Sequence, residues 1–472
     1  MVQEKYDLVV LGGGISGYSA AIRAAQLNKR VAIVEKSLLG GTCLHKGCIP
    51  TKSFLKSADT YQLIQHAEDY GITTSTPTFN FPKVQARKQR IVESMYSGLQ
   101  MLIRQKKIDV FNGTGRLLGA SIFSPQSGTV SVTYEDGTSE LLTNDYVLIA
   151  TGSSPMTLPF LEIDHERIVT SDDLLAMSSL PSSIAIIGAG VIGLEFASFF
   201  SQVGVEVHVI EAADKIYLND SDVVSQQLQN ALSKRGVKFH TGVKLSEDNV
   251  TVLENQVAFN LGTTIQTDIA LVAIGRRANI SDIGLSNTDV VITEQQTIET
   301  NEYMQTKAPH IYASGDVIGH LQLAHVGAKE GIIAVEHMFQ QNPIAIDYNV
   351  MPRCIYTTPE VAAIGLSAEA AKSQGYHVKT VKAAFQTNGK AMIMSPGTPD
   401  GFAELVIDKE SGSVLGANLV GSNVTEHINE LSVLQFLNGS ALELGMATHA
   451  HPSMSELLME LGLLYEKQAI HL

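Results

Sequence analysis

Apolar residues along this chain fall into short unbroken runs that stop at glycine-rich turns, and two such stretches share one plan. YDLVVLGGGISGYSAAIRAAQ, from Tyr6, and SSIAIIGAGVIGLEFASFFSQ, from Ser182, each read as a buried strand, a glycine turn and a helix of small residues. Each carries the spacing GxGxxG, at Gly12, Gly14 and Gly17 and again at Gly188, Gly190 and Gly193. Each is followed by an apolar strand ending in an acid, VAIVEK at Glu35 and VHVIEA at Glu211. The interval from Gly12 to Glu35, and from Gly188 to Glu211, is 23 residues.

The unit has a specific physical use. The first glycine permits a tight turn, and the second lets backbone N–H groups approach a pyrophosphate. The third lets the helix pack close to the strand, so that the positive helix end meets the phosphates. The acid then accepts hydrogen bonds from the adenosine ribose hydroxyls. Two units predict two dinucleotides, and a two-electron nicotinamide carrier commonly meets a flavin. A carboxylate at Glu211 with no arginine directly after it favours NAD over NADP in the second unit, although Lys215 is close in sequence.

Between the units the sequence predicts helix over residues 59–107, then short strands and turns, then a strand in YVLIATGSSP. DIALVAIGRRAN reads as the matching closing strand of the second unit, and HIYASGDVIG as a short strand ending at Gly315 and Asp316. From about Pro352 onward GFAELVID and VLGANLVG alternate as strands, before long helices to the end. The expected fold class is α/β, with two Rossmann-like dinucleotide-binding domains and a C-terminal α+β domain. The expected domains cover residues 1–150, 151–273, 274–350 and 351–472.

Composition changes this picture little. Hydrophobic residues at 44% and charged residues at 17% fit a soluble globular chain with a large core. A formal net charge of −15 repels polyphosphate, so nucleic acid is not an expected partner. The opening MVQEKYDLVVLGGG has no basic segment with an apolar stretch behind it, so no secretory leader is expected. The most apolar run, residues 184–194, is too short for a membrane span of about 20 residues. A cytoplasmic location is the expectation.

Only three cysteines occur, Cys43, Cys48 and Cys354, too few for a secreted disulfide scaffold. On a straight helix Cys43 and Cys48 would be too far apart and angularly offset for a disulfide, which needs Cα atoms within about 7 Å. Gly40, Gly41 and Gly47 let the backbone bend, however, and IPTKSFLKSAD reads as a helix that tolerates Pro50 near its first turn. A thiolate at a helix N-terminus is stabilised by the dipole, which favours a redox pair. A metal site of Cys43, His45 and Cys48, without an obvious fourth ligand, and two buried reduced cysteines are the competing readings. Cys354, with no partner nearby in sequence, reads as a core thiol. Oxidising a dithiol also requires a base, and ATHAHPSMSELLMEL offers His451 with Glu456 to orient it. His449 competes on spacing alone.

GGTCLHKGCIPTK resembles the active-site segment of the pyridine-nucleotide–disulfide oxidoreductases. The likeness runs end to end, through YDLVVLGGGISG, YVLIATGSSP, IIGAGVIGLEF, IYASGDV, IYTTPEVAAIG and HAHPSMSE. It implies an FAD-binding first domain, an inserted NAD domain, a central domain completing the FAD site and a dimer-interface domain. It implies that Cys43 is the interchange thiol that meets a dithiol substrate and that Cys48 lies against the flavin. Lys52, one helical turn after Cys48, would reach the flavin and pair with Glu195, which is expected on the first turn of the second glycine helix. Asp316 would bond the ribityl chain, and Thr42, Thr151, Gly152, Gly275 and Ala324 would complete the cofactor sites. His451 becomes the base and Glu456 its partner, together completing the site of a partner chain in a homodimer.

The implied substrate is a protein-bound dihydrolipoyl group, oxidised to lipoyl with reduction of NAD+. The implied partners are the lipoyl domains and core subunit of a 2-oxo acid dehydrogenase-type, acetoin or glycine-cleavage complex; no metal is implied. Glutathione-reductase-like members generally prefer NADP and carry arginines in place of Glu211. Mercuric reductases add a C-terminal cysteine pair, absent from this sequence. Soluble transhydrogenases lack the redox cysteines. A binding subunit or redox sensor that keeps the fold is the reading from another class, and the intact Cys43, Cys48, His451 and Glu456 set stands against it. Ser453 and Met454 replace the commoner Thr and Leu while keeping the hydroxyl and the apolar bulk. His45-Lys46 stands where many members carry Asn-Val, a change with no role in this reading.

Overall fold

A computed structural model describes residues 5–121, 126–218 and 221–472; the first four residues of the opening segment, from which no leader is expected, lie outside them. The chain gathers into two compact units. One comprises Met1–Pro50, Ala86–Met156 and Gly275–Ile346, the other Thr51–Gln85, Thr157–Ile274 and Asp347–Leu472.

In the first unit five strands form a parallel sheet, in the order Asp109–Asn112, Val31–Glu35, Tyr6–Leu11, Asn144–Ile149 and Ile311–Ala313. Leu8 stands beside Val31 on one side and Tyr146 on the other. The central run is apolar throughout because a parallel sheet is covered on both faces, and Leu8, Val9 and Val10 are wholly buried. The helix Ile15–Gln26 packs against the helix Ala324–Met338 through small residues. A Cβ on Gly331 would stand 2.4 Å from the Ser16 carbonyl oxygen, so only glycine permits that approach.

The second unit repeats the arrangement, in the order Lys238–His240, Glu206–Ile210, Ser183–Ile187, Ile269–Val272 and Ile168–Val169, again all parallel. In both units a separate three-stranded antiparallel meander precedes the strand that returns beside the centre. It comprises Thr114–Leu117, Val130–Thr133 and Ser139–Leu142 in one unit, and Val250–Val252, Val257–Asn260 and Thr264–Thr267 in the other. The internal repeat therefore extends beyond the glycine turns to the whole sheet. Only the fifth strand differs in origin, coming from late in the chain in the first unit and from just before the sheet in the second.

Residues 347–472 add an antiparallel sheet ordered Arg353–Ile355, Glu360–Gly365, Val414–Gly421, Phe402–Asp408 and Val378–Ala384. The helices Val424–Phe436 and Glu456–Tyr465 close over it, burying Leu405, Ile407, Leu419, Ile428, Leu431, Leu457 and Leu461 in one cluster. Each such side chain contributes about 1.5–3 kcal/mol by leaving water.

Three local expectations change. The predicted helix over 59–107 is two helices, Cys48–Gln65 and Phe81–Gln105, with residues 72–80 forming neither helix nor strand between them. Gly71, at φ +74°, turns the chain out of the short helix Ala67–Tyr70 that follows the first. DIALVAIGRRAN is two strands: Ile269–Val272 closes the parallel sheet, Gly275 turns the chain at φ +129°, and Arg276–Ala278 pairs antiparallel with Ser153–Pro155. The C-terminal helices are shorter than expected, at 13, 6 and 10 residues. Among the described residues no helix is long and apolar enough to cross a membrane.

Candidate active site

The two glycine turns are built alike. Gly12 and Gly188 have φ of +103° and +105°, and a Cβ on them would stand 2.3 Å from the Ala150 oxygen and 2.5 Å from the Ala273 oxygen. A Cβ on Gly17 or Gly193 would stand 1.9 Å or 2.2 Å from the oxygen of Gly12 or Gly188, which is the close helix–strand approach expected of the third glycine. The second glycines differ in kind. Among the described residues, nothing lies within 4 Å of a Cβ built on Gly190, and only the Gly41 Cα, at 3.9 Å, of one built on Gly14. Both glycines head their helices without a side-chain cap, so the first-turn N–H groups face an open cradle that suits a pyrophosphate. The residues present therefore fit two dinucleotides.

The acids do more than await a ribose. Glu35 accepts from the Gly13 N–H at 2.7 Å and the Ser37 N–H at 2.8 Å; Glu211 accepts from the Ala189 N–H at 2.7 Å and the Ala213 N–H at 2.8 Å. Each carboxylate thus stiffens its own glycine turn, with lone pairs left for hydroxyl donors.

Cys43 lies in the helix Gly41–Lys46, and Cys48 is the first residue of the helix Cys48–Gln65. Gly47 breaks the chain between them, at φ −149° and ψ −112°, so the pair does not sit on one straight helix. Both cysteines are half-buried. Burial first, and then charge at Cys43, push the Tyr18 phenol up. Thr42 is exposed beside it. Among the described residues no cluster of three or more His, Cys, Asp or Glu is arranged to hold a metal ion.

Lys52 Nζ donates to both carboxylate oxygens of Glu195 at 2.8 Å. Glu195 is buried and is the fifth residue of the helix Val191–Gln202. It therefore belongs to the second turn, not the first as expected, while the contact with Lys52 is the expected one. The Tyr356 N–H also donates to Glu195, at 3.1 Å, and Lys52 lies over the Tyr356 ring. Seven residues further along both helices Asp59 accepts from the Gln202 side chain at 2.9 Å, and Phe54 stacks on Phe199 between the two contacts.

His451 Nδ1 is 2.8 Å from Glu456 Oε1, and the other oxygen of Glu456 accepts from the Ser453 N–H at 2.7 Å. The Ser453 N–H first, and His451 next, hold the Glu456 carboxyl below the usual carboxylate range. The His451 side chain is 82% exposed, and its Nε2 has no protein partner among the described residues. His449 is engaged at both nitrogens, by the Ala447 oxygen at 2.9 Å and by Glu430 at 2.5 Å. Of the two histidines that spacing left in competition, His449 is held at both nitrogens and His451 at Nδ1.

Thr151 and Gly152 lead from the strand Asn144–Ile149 into Ser153–Pro155, and the Thr151 hydroxyl donates to the Asn279 oxygen at 2.7 Å. Asp316 accepts from the Ser153 hydroxyl, which in turn accepts from Arg276 Nε at 2.7 Å. Gly315, at φ +79°, donates its N–H to the buried Glu330 at 2.7 Å, fixing the turn that carries Asp316. Ala324 opens its helix, and Gly275 makes the turn before Arg276. Ser153, Arg276, Glu330 and Tyr356 were not singled out from sequence. Their signal is only proximity to YVLIATGSSP, IGRRAN, the helix after SGDV, and IYTTPE.

Residues 6–331 match the family model described as pyridine nucleotide-disulphide oxidoreductase, and residues 351–461 match that family's dimerisation domain. The chain belongs to the pyridine nucleotide-disulphide oxidoreductase family. It is an oxidoreductase of that family, with FAD and NAD as cofactors. A dihydrolipoyl dehydrogenase of Bacillus subtilis is 46% identical, covering 99% of each chain. One of Chlamydia pneumoniae is 38% identical, covering 100% of this chain and 99% of that one. The crystal structure of LpdA from Mycobacterium tuberculosis superposes with a TM-score of 0.90 at 26% identity, covering 97% of this chain and 99% of that one.

Proposed function

We propose that this member of the family is a dihydrolipoyl dehydrogenase, oxidising protein-bound dihydrolipoyl groups with NAD+. The single observation that carries the chemistry is the helix break at Gly47, which frees Cys43 and Cys48 from one straight helix and leaves Cys48 heading the next. The kinship with dihydrolipoyl dehydrogenases supplies the dithiol.

With Nδ1–H donating to Glu456, His451 takes the proton of one substrate thiol at Nε2. The resulting thiolate attacks the Cys43 sulfur of the Cys43–Cys48 disulfide; that S–S bond breaks and Cys48 leaves as a thiolate. The second substrate sulfur displaces Cys43 and closes the lipoyl disulfide, its proton passing to the departing Cys43. The two electrons of the dithiol then reside on the cysteine pair, and His451 holds the remaining proton. Bound FAD supplies the acceptor between these thiols and NAD+. Gly12, Gly14, Gly17, Glu35, Asp316 and Ala324 would hold FAD; Gly188, Gly190, Gly193, Glu211 and Gly275 would hold NAD, and the Glu211 carboxylate would repel a 2′-phosphate. Lys52, held by Glu195, would serve the flavin in this reading.

The match of residues 351–461 to a dimerisation domain supports a homodimer in which His451 and Glu456 serve the partner chain. The partners in this reading are the lipoyl domains and core subunit of a 2-oxo acid dehydrogenase-type complex, in the cytoplasm. Steady-state turnover of dihydrolipoamide with NAD+ and with NADP+ tests it, NAD+ being expected to give the far larger kcat/KM. Inertness toward dihydrolipoamide, with reduction of glutathione disulfide by NADPH, would overturn it.

A further inference from the structure

His45 sits between the two cysteines, on the helix that carries Cys43. Its Nε2 is 2.8 Å from the carbonyl oxygen of Leu39. A carbonyl oxygen only accepts, so Nε2 carries the hydrogen. The same ring meets Tyr96 edge-on, with centroids 5.2 Å apart. Both contacts lie within the first compact unit.

Leu39 belongs to the loop that rests on the first glycine turn. The Gly40 N–H donates to the Gly13 oxygen at 2.8 Å, and Gly14 and Gly40 form a parallel bridge. The Leu39 side chain covers Gly13 so closely that a Cβ there would stand 2.6 Å from it. A Cβ on Gly41 would stand 2.7 Å from the Gly14 Cα. The loop is thus pressed onto the dinucleotide turn, and His45 ties the cysteine helix back to it. The helix Gly41–Lys46 is only six residues long and ends at a glycine, so its own hydrogen bonds fix it weakly.

We propose that His45 is a positioning residue of the redox pair: it pins the Cys43 helix to the loop on the first glycine turn and holds Cys43 ready to close on Cys48. The inference rests on reading Cys43 and Cys48 as that pair. A preplaced pair closes at smaller entropic cost, so the clamp favours disulfide over dithiol.

The holoenzyme is equilibrated with mixtures of dithiothreitol and its cyclic disulfide, in which two electrons and two protons pass between the reagent and the cysteines. Acid quenching, alkylation and mass measurement then count thiols at Cys43 and Cys48. His45→Phe keeps a ring against Tyr96 and loses the donor; it is expected to shift the equilibrium about fourfold toward the dithiol, a part of the worth of one hydrogen bond, because the bond tightens on closure but can form in both states. His45→Gln places an N–H where Nε2 was and is expected to recover most of the wild-type value. Should His45→Phe not fold, His45→Met, of similar reach and without a donor, gives the same comparison with His45→Gln. Variants that lower the thermal midpoint while keeping the equilibrium within twofold of wild type would overturn the role of His45. A wild-type protein with no reversible Cys43–Cys48 couple would instead overturn the redox reading beneath it.

Discussion

Cys354 and the Cys43–Cys48 pair share one side chain and differ in surroundings. Cys354 lies in the strand Arg353–Ile355, packed against the C-terminal core cluster. Burial first, and then the nearby Glu360 carboxylate, push its thiol up to about 12, with Lys52 acting the other way. A raised thiol pKa disfavours the thiolate below it, so at pH 8 the reactive form is on the order of one part in ten thousand. Iodoacetamide at pH 8 is therefore expected to label Cys43 and Cys48 in the reduced native protein and to spare Cys354 until the chain is unfolded. Cys354→Ala is expected to leave turnover unchanged; rapid native labelling of Cys354 would contradict the assignment. The lone position of Cys354 in the sequence suggests a core thiol, whereas the partners of His449 and His451, Glu430 and Glu456, come into view only in the structure.

At the scale of elements, the glycine turns separate packing from ligand space. Gly193 lies against the Gly188 oxygen, so Gly193→Ala forces the helix off its strand and is expected to cost several kcal/mol, seen as a lower thermal midpoint or loss of soluble protein. Gly190 has φ −81°, which any residue adopts, and open space around its missing Cβ. Gly190→Ala is expected to keep the thermal midpoint and raise the KM for NAD+ roughly tenfold or more, because the methyl group enters the pyrophosphate cradle. Unchanged KM in that variant would place the nucleotide elsewhere. The spacing GxGxxG made both glycines visible in sequence but not their different duties. Similarly, the glycines around the cysteines predicted a bend, and only the structure located it at Gly47. The helix placing Glu195 was legible, but its start at Val191 put that residue one turn later than expected.

For the whole molecule, the proposed sharing of sites between two chains makes a sharp test. Neither a Cys43→Ser homodimer nor a His451→Gln homodimer is expected to turn over dihydrolipoamide. A mixed dimer holds one site with intact cysteines from one chain and an intact base from the other. Coexpressed and purified mixed dimers are expected to regain about half of wild-type activity, one working site of two. No recovery would mean that each chain supplies its own base.

Local chemistry was written in the chain itself: strand, glycine turn, helix and acid repeat at a fixed interval because each is set by backbone sterics within a few residues. The cysteine segment and the HAHPSMSE segment were legible for the same reason. Tertiary structure decided what depends on residues far apart in sequence. Lys52 meets Glu195 across 143 positions, and Arg276, Ser153 and Asp316 join from three segments. The antiparallel meander of each unit forms a small sheet of its own, whose strand pairings no local pattern announces. Such contacts are selected by the burial of whole faces against one another, which favours one packing of the elements and is a property of no single stretch.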